Sequence, residues 1–334
     1  MQSSYCNKPI LTLGRESMNH NEILGIHHVT AIAGNPQQNI DFYAGFLGLR
    51  LVKLTVNYDD PGTYHLYYGD SIGHPGSIMT FFPWPSGQKG RHGTGQLTTT
   101  CFSIPDGSLE YWMQRLEAHK IPYDGPFQRF EENVVSFADY DGLRLELVVT
   151  GFDRRKPWEE GPVPPEKAIR GFYGVTLSEE GYERTAWLLN DKFGFKQSKQ
   201  ENNRFRYEAR ASEPGGIVDV ICSPDAPRGF VSVGTVHHVA WRTQDDEQQK
   251  KWRQELIDVG LDVTPVIDRK YFHSIYFLEP GGVLFEIATD PPGFTVDQPS
   301  TELGTRLVLP NWLEPLRKKL ELTLPPLNLP HKNS

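Results

Sequence analysis

The feature that most constrains this 334-residue chain is that it repeats itself. A stretch beginning at Gly25 reads GIHHVTAIAGNPQQNIDFYAGFLGLRLV, and related stretches begin at Gly171 (GFYGVTLSEEGYERTAWLLNDKFGFKQ) and Gly234 (GTVHHVAWRTQDDEQQKKWRQELIDVGLDV). A weaker copy begins at Gly95, as GQLTTTCFSIPDGSLEYWMQRLEAHKIPY. Each opens on β-branched and aromatic residues, which favour a strand, and then passes into an amphipathic segment. In the first copy Ile40, Tyr43, Phe46 and Leu47 share one helical face, Pro36 suits the first turn and Gly48 the end. Further strand-like stretches follow, such as YHLYYGD and GSIMTFFPW after the first helix and HSIYFLEPGGVLFEIAT after the last. Strand, helix and three strands, four times over, predict an α+β chain. Its four βαβββ modules should curve into two cupped mixed sheets, not a doubly wound parallel one.

On this plan residues 1–24 are an N-terminal extension and 25–156 a first half of two modules. Residues 157–169 are a Pro-rich linker, 170–292 a second half of two modules, and 293–334 a tail with one short helix. Composition removes several function classes. With 34 basic against 42 acidic residues, a net charge of −8 and no long basic run, a phosphate backbone would be repelled. No 18-residue apolar stretch is present to cross a membrane, and the first 24 residues lack the apolar core of a signal peptide, so a cytoplasmic protein is expected. Three distant cysteines, Cys6, Cys101 and Cys222, suit neither a disulfide scaffold nor a sulfur-ligated zinc site. Exposed sheet edges predict a homo-oligomer.

The repeats allow an internal alignment that a single copy would not. His-His pairs open the first and fourth modules, at His27-His28 and His237-His238. Neighbours in a regular strand point to opposite faces, so one member of each pair should face a given cavity. Aligning on Val29, Val175 and Val239 makes His28, Gly174 and His238 equivalent, with the threonines Thr98 to Thr100 in module two. The closing strands SIMTFF, LRLELVV, GIVDVIC and VLFEIAT bring Thr80, Glu146, Asp219 and Glu286 into correspondence. Pairing modules one and four then gathers His28, His238 and Glu286 beside Thr80. Two imidazoles and a carboxylate form the facial triad that suits non-haem Fe(II), leaving coordination positions open. An unpaired carboxylate inside a sheet is costly, which favours a metal over chance. Glu146 and Asp219 lack histidines and read as solvated or hydrogen-bonded carboxylates. His65, His74 and His92 read as surface or structural groups, and the Gly-rich GQKGRHGTG as a flexible connector or lid. Tyr58, Tyr64, Tyr67, Phe81, Phe82 and Trp84 are candidates to line an apolar pocket, or ordinary sheet packing.

The four-module plan, with YHLYYGD, GSIMTFFPWP, VHHVAW and FEIATD, resembles the vicinal oxygen chelate superfamily over residues 25 to 320. Within it the chain is similar to the dioxygenases that open hydroquinone-type aromatic rings. That resemblance implies Fe(II), with Mn(II) as the other metal such ligands take, at His28, His238 and Glu286. It further implies supporting roles for His27, Thr30, His237, Arg269 and Tyr276. His237 or His27 would do acid–base work, with His273 as an alternative. Tyr276 would hydrogen-bond substrate oxygen, and Arg269 would hold negative charge. The implied partners are a small aromatic substrate and O₂. Catechol-cleaving relatives carry their triad wholly in the second half, where Gly174 supplies no ligand. Three other readings stay open: a catechol-type enzyme, a glyoxalase-like isomerase or thiol transferase, and an aromatic-binding protein without catalysis.

Overall fold

A computed structural model describes residues 22–151, 153–209 and 215–330, so the expected N-terminal extension lies, through residue 21, outside the described residues. Module one consists of β1 (Ile26–Ala33), α1 (Pro36–Ile40), β2 (Arg50–Val56), β3 (Tyr64–Gly69) and β4 (Ile78–Pro83). Module two is β5 (Gln96–Ile104), α2 (Leu109–Ala118), β6 (Tyr123–Arg129), β7 (Glu132–Ala138) and β8 (Arg144–Val149). Module three is β9 (Gly171–Glu179), α3 (Glu183–Trp187), β10 (Lys196–Glu201), β11 (Arg204–Glu208) and β12 (Ile217–Cys222). Module four is β13 (Thr235–Thr243), α4 (Asp246–Asp258), β14 (Ile267–Asp268), β15 (Phe272–Leu278) and β16 (Leu284–Pro292). The tail carries α5 (Arg317–Thr323).

Two eight-stranded sheets result. One runs β14-β15-β16-β13-β1-β4-β3-β2 and joins modules four and one; the other runs β10-β11-β12-β9-β5-β8-β7-β6 and joins three and two. Each sheet is therefore made from both halves of the sequence, through the antiparallel seams β1–β13 and β5–β9. Alternation along β1 turns Val29 and Ala31 into the core with Tyr43 and Phe46, and His28 and Thr30 to the opposite face. The four predicted helix-face residues Ile40, Tyr43, Phe46 and Leu47 are all buried.

The first helix departs from simple periodicity. Asn35 caps it by accepting from the backbone N–H groups of Gln37 and Gln38, 2.9 and 3.0 Å away. From Asp41 to Phe46 the coil then widens into a π turn, closed by the Leu47 N–H on the Phe42 carbonyl at 2.8 Å. Module three repeats this switch over Leu188–Lys192. The Gly-rich stretch expected to be loose is instead zipped to residues 228–233, with bridges from Lys89 to Val233, Arg91 to Phe230 and Thr94 to Arg228. There is no space for side chains there: a Cβ on Gly93 would lie 2.2 Å from the Pro227 carbonyl. Cys101 is a buried free thiol. Among the described residues no helix is long and apolar enough to cross a membrane.

A buried carboxyl pair ties the second sheet to module four. Glu179 and Glu279 both lie against the Thr185 hydroxyl, which is 2.7 Å from Glu279 Oε2. Thr185 has one proton to give, so one carboxyl must itself donate. Burial first, and then the charge of Glu279, raise Glu179 well above the ordinary carboxylate range; burial likewise raises Glu279. A raised carboxyl contributes stability that is fully present below about pH 4 and is lost as pH climbs through the folded-state value. Glu279→Gln keeps a donor at this position without the charge. Its melting temperature should exceed that of the parent by about 2–4 °C at pH 8 and converge on it toward pH 5. Equal midpoints across that range in a calorimetric series would refute the shared proton.

Candidate metal centre

The functional cluster is built at the β1–β13 seam. Both strands bulge there: Ile26 and His28 face Trp241 and Ala240, leaving His27 as the extra residue, and Thr30 and Ala31 face His238 and Val236, leaving His237 extra. A bulge breaks the strict alternation of a strand and re-aims its side chains. Neighbouring rings consequently touch, His27 Nδ1 lying 2.9 Å from His28 Nδ1 and His237 Nδ1 2.7 Å from His238 Nδ1. The expectation that only one histidine of each pair reaches the cavity is thereby corrected in module four, where His237 and His238 both line it. In module one His28 lines it and His27 sits behind, wholly buried with Nε2 unpartnered.

The aligned carboxylate arrives from β16. Glu286 pairs with Ala240, two residues beyond His238, as Thr80 on β4 pairs with Thr30, two beyond His28. Asp219 pairs with Thr176 by the same offset from Gly174, and Glu146 with Cys101, so Thr99 is the module-two counterpart of His28. His28 Nε2 and His238 Nε2 are 3.3 Å apart, and Glu286 Oε2 lies 3.3 and 2.9 Å from them. All three groups are buried and could hold one metal ion. Glu286 Oε1 accepts from the Ser274 hydroxyl, yet buried Oε2 has no aligned hydrogen bond despite two imidazoles beside it. Three ligand atoms crowded together, the carboxylate oxygen among them without a hydrogen bond, fit a cation. Burial would raise the Glu286 carboxyl, but His28 and His238 outweigh it and hold the carboxyl well below its ordinary range, while burial lowers His238. An ionised carboxylate and neutral imidazole are the states a metal needs.

The cluster opens into a cavity of about 350 Å³. Tyr58, Tyr67, Phe82, Trp84, Phe272 and Tyr276 give it aromatic walls, whereas Tyr64 and Phe81 belong to the core. Thr30, Arg269 and Tyr276, expected around the metal, all face it. Tyr276 stands edge-on to His238, with ring centroids 5.6 Å apart, and its hydroxyl accepts from Arg269 Nε at 3.3 Å. Arg269 also reaches Asp59 at 3.0 Å. Burial raises the Tyr276 phenol, keeping it a proton donor. Burial, followed by His238, pushes His237 down to about 3. His273 lies away from this cavity, paired with Asp246 at 2.6 Å.

His65 is the residue that sequence reasoning passed over. It lines the cavity, with Nε2 2.8 Å from Thr80 Oγ1 and Nδ1 2.8 Å from the Tyr67 hydroxyl. The available signal was the alternation of YHLYYG, which puts His65 and Tyr67 on the face that Thr80 shares. His74 on Asp70 and His92 on the Gly142 carbonyl are the structural groups they were expected to be.

Paired βαβββ modules around a buried two-histidine, one-carboxylate cluster define a metal-site protein of the vicinal oxygen chelate type. The chain belongs to the Glyoxalase/Bleomycin resistance protein/Dioxygenase superfamily, which it matches over residues 25–147 and 175–287. It is 47% identical over 306 residues, 92% of this chain and 97% of the relative, to a Bacillus subtilis (strain 168) protein named "Putative ring-cleaving dioxygenase MhqO". It is 32% identical over 309 residues to the chlorohydroquinone/hydroquinone 1,2-dioxygenase of Sphingobium indicum, covering 90% of this chain and 95% of that one. The crystal structure of a Bacillus subtilis protein titled as a putative dioxygenase superposes with a TM-score of 0.89 at 47% identity, over 92% of this chain and 98% of the other.

Proposed function

We propose that this chain is an Fe(II)-dependent dioxygenase that opens hydroquinone-type aromatic diols, with His28, His238 and Glu286 as the iron ligands. The observation that carries the reading is the buried triad at the base of an aromatic-walled cavity of about 350 Å³. Cavities of this size suit small aromatic ligands. The hydroquinone dioxygenase at 32% identity supports the substrate class. A glyoxalase-like site more often needs a fourth protein ligand. Thr80, at the matching position, is spent on hydrogen bonds to Thr30 and His65.

Bound iron supplies Lewis acidity, open positions and an electron path between ring and O₂. The chain's own groups do the rest. His27 and His237 fix the tautomers and ring planes of the two ligand histidines through their Nδ1 contacts. His237 also faces the cavity; with Nδ1 accepting from the Nδ1–H of His238 it carries its own proton on Nε2, so it, and not His27, is placed to donate a hydrogen bond to substrate oxygen. Tyr276, oriented by Arg269, donates to substrate oxygen beside His238. The surrounding rings exclude water.

Protein purified without oxygen should hold close to one iron per chain. It should consume O₂ with hydroquinones, and mass spectrometry with ¹⁸O₂ should find both atoms in the ring-opened product. Uptake with catechols alone would remove the para-diol assignment; absence of bound metal would remove the reading altogether.

A further inference from the structure

The cavity has a second polar pole, built by module one, at the position where module four places the carboxylate. Tyr67 on β3 pairs with Thr80, as Tyr276 on β15 pairs with Glu286. Since Thr80 and Glu286 correspond, Tyr67 and Tyr276 are repeat counterparts, and both line the same cavity. The correspondence extends one step along each strand face. Ser274 supports Glu286 from the position at which His65 supports Thr80. Aromatic rings back both poles: Phe272 lies 4.9 Å from the His28 ring and Phe82 4.3 Å from the His65 ring.

The two poles differ in charge. Module four supplies a carboxylate and a guanidinium. Around Tyr67 module one supplies two threonine hydroxyls, a phenol and an imidazole that burial holds neutral, while its one cavity-lining carboxylate, Asp59, is paired with Arg269. Such a set does not compensate a carboxylate or phosphate on the ligand, but it suits an uncharged hydroxyl. The hydrogen inventory points the same way. A neutral His65 has one N–H for two contacts, Thr80 at Nε2 and Tyr67 at Nδ1. With the proton on Nδ1 the imidazole donates to Tyr67, whose own proton is then free. With the proton on Nε2, Tyr67 donates to Nδ1 and its oxygen can still accept. In either tautomer the phenol has one unused valence.

We propose that Tyr67, held by His65, receives the second hydroxyl of a para-diol whose first hydroxyl lies at the triad. A 1,4-diol carries its oxygens at opposite ends of the ring, so its second hydroxyl needs a partner apart from the triad, and Tyr67 lines the same cavity with a valence to spare. A 1,2-diol presents both to one pole. This inference rests on the hydroquinone reading above and identifies the groups that would select for it.

The test pairs a ligand change with a protein change. Hydroquinone and phenol, which lacks the distal hydroxyl, are titrated anaerobically into iron-loaded protein and followed by calorimetry. The parent should bind hydroquinone about tenfold more tightly than phenol, the worth of one good hydrogen bond. Tyr67→Phe should bring that ratio to within about twofold while leaving phenol affinity unchanged, and His65→Leu should give an intermediate ratio. In aerobic assays the KM for hydroquinone should rise about tenfold in Tyr67→Phe. A purely structural role would weaken both ligands alike. A ratio that survives in both variants, or a parent that binds the two ligands equally, overturns the inference. Failure of the parent to consume O₂ with hydroquinone, by contrast, indicts the proposed function itself.

Discussion

His238→Ala is expected to leave the protein essentially without metal and without turnover, while His237→Ala, one residue away, keeps the metal. The contrast is sharp because the bulge puts both rings on the cavity, yet only His238 Nε2 converges on Glu286 Oε2, at 2.9 Å. Groups that merely orient a ligand typically contribute about 10–100-fold in metal affinity, so a ligand itself should exceed about 100-fold. Metal analysis after dialysis should therefore fall from near one equivalent to near none in His238→Ala, and fall only partly in His237→Ala. An independent signature comes from unfolding. At metal concentrations about 100 times the dissociation constant, binding to the folded state adds about 2.7 kcal/mol, so the parent's melting temperature should climb with added Fe(II). The His238→Ala midpoint should not move. Glu286→Gln should behave as His238→Ala does, because it removes the charge that a cation needs. Retention of metal by His238→Ala together with its loss from His237→Ala would reverse the assignment within the pair.

That ambiguity marks where sequence reading stopped being sufficient. The four-fold repeat was legible because each module must bury a helix face and a sheet face of its own, which keeps apolar spacing regular. The alignment of Thr80, Glu146, Asp219 and Glu286 followed from it, and all four obey one register offset. The pairing of modules one and four was legible too, since it alone gathers two histidines and a carboxylate. Bulges were not. An extra residue at His27 or His237 leaves no compositional trace, and a strict two-residue period then sends His237 to the wrong face. The π turn after Ile40 is hidden for a similar reason, because widening a helix keeps its apolar stripe buried. His65 was missed because an isolated histidine in a strand carries no weight until its neighbour across the sheet is known. The Gly-rich segment was misread because glycine signals either slack or close approach, and there Pro227 and Arg228 demand the latter.

Arg206→Met is expected to destabilise the chain by about 3 kcal/mol, lowering its melting temperature by roughly 6–10 °C, while leaving metal content unchanged. The second sheet repeats the architecture of the first, with the same register offset and extra residues at Thr98 and Tyr173 matching His27 and His237. Thr99 and Gly174 stand where the ligand histidines would be, so no imidazole is available to neutralise Glu146 and Asp219. Arginines do so instead. Arg129 reaches both carboxylate oxygens of Glu146, and Arg206 donates Nε to Asp219 Oδ1 at 2.7 Å and Nη2 to Oδ2 at 3.1 Å. Arg206 occupies the repeat position of Tyr276, since it pairs with Asp219 as Tyr276 pairs with Glu286. It also reaches Glu132 at 2.7 Å and lies against the rings of Phe130 and Tyr173. Removing it leaves Asp219, which is 3% exposed, with Arg204 alone, hence the lower end of the cost of breaking a buried pair. Arg206→Met combined with Asp219→Leu should regain most of the loss, because the penalty belongs to the stranded charge and not to the missing bond. Measured by thermal and denaturant unfolding, a double variant no more stable than the single one would show that Arg206 acts through packing on the two rings. Loss of metal from the single variant would mean that the second sheet shapes the site of the first, contrary to the separation its own ion pairs suggest.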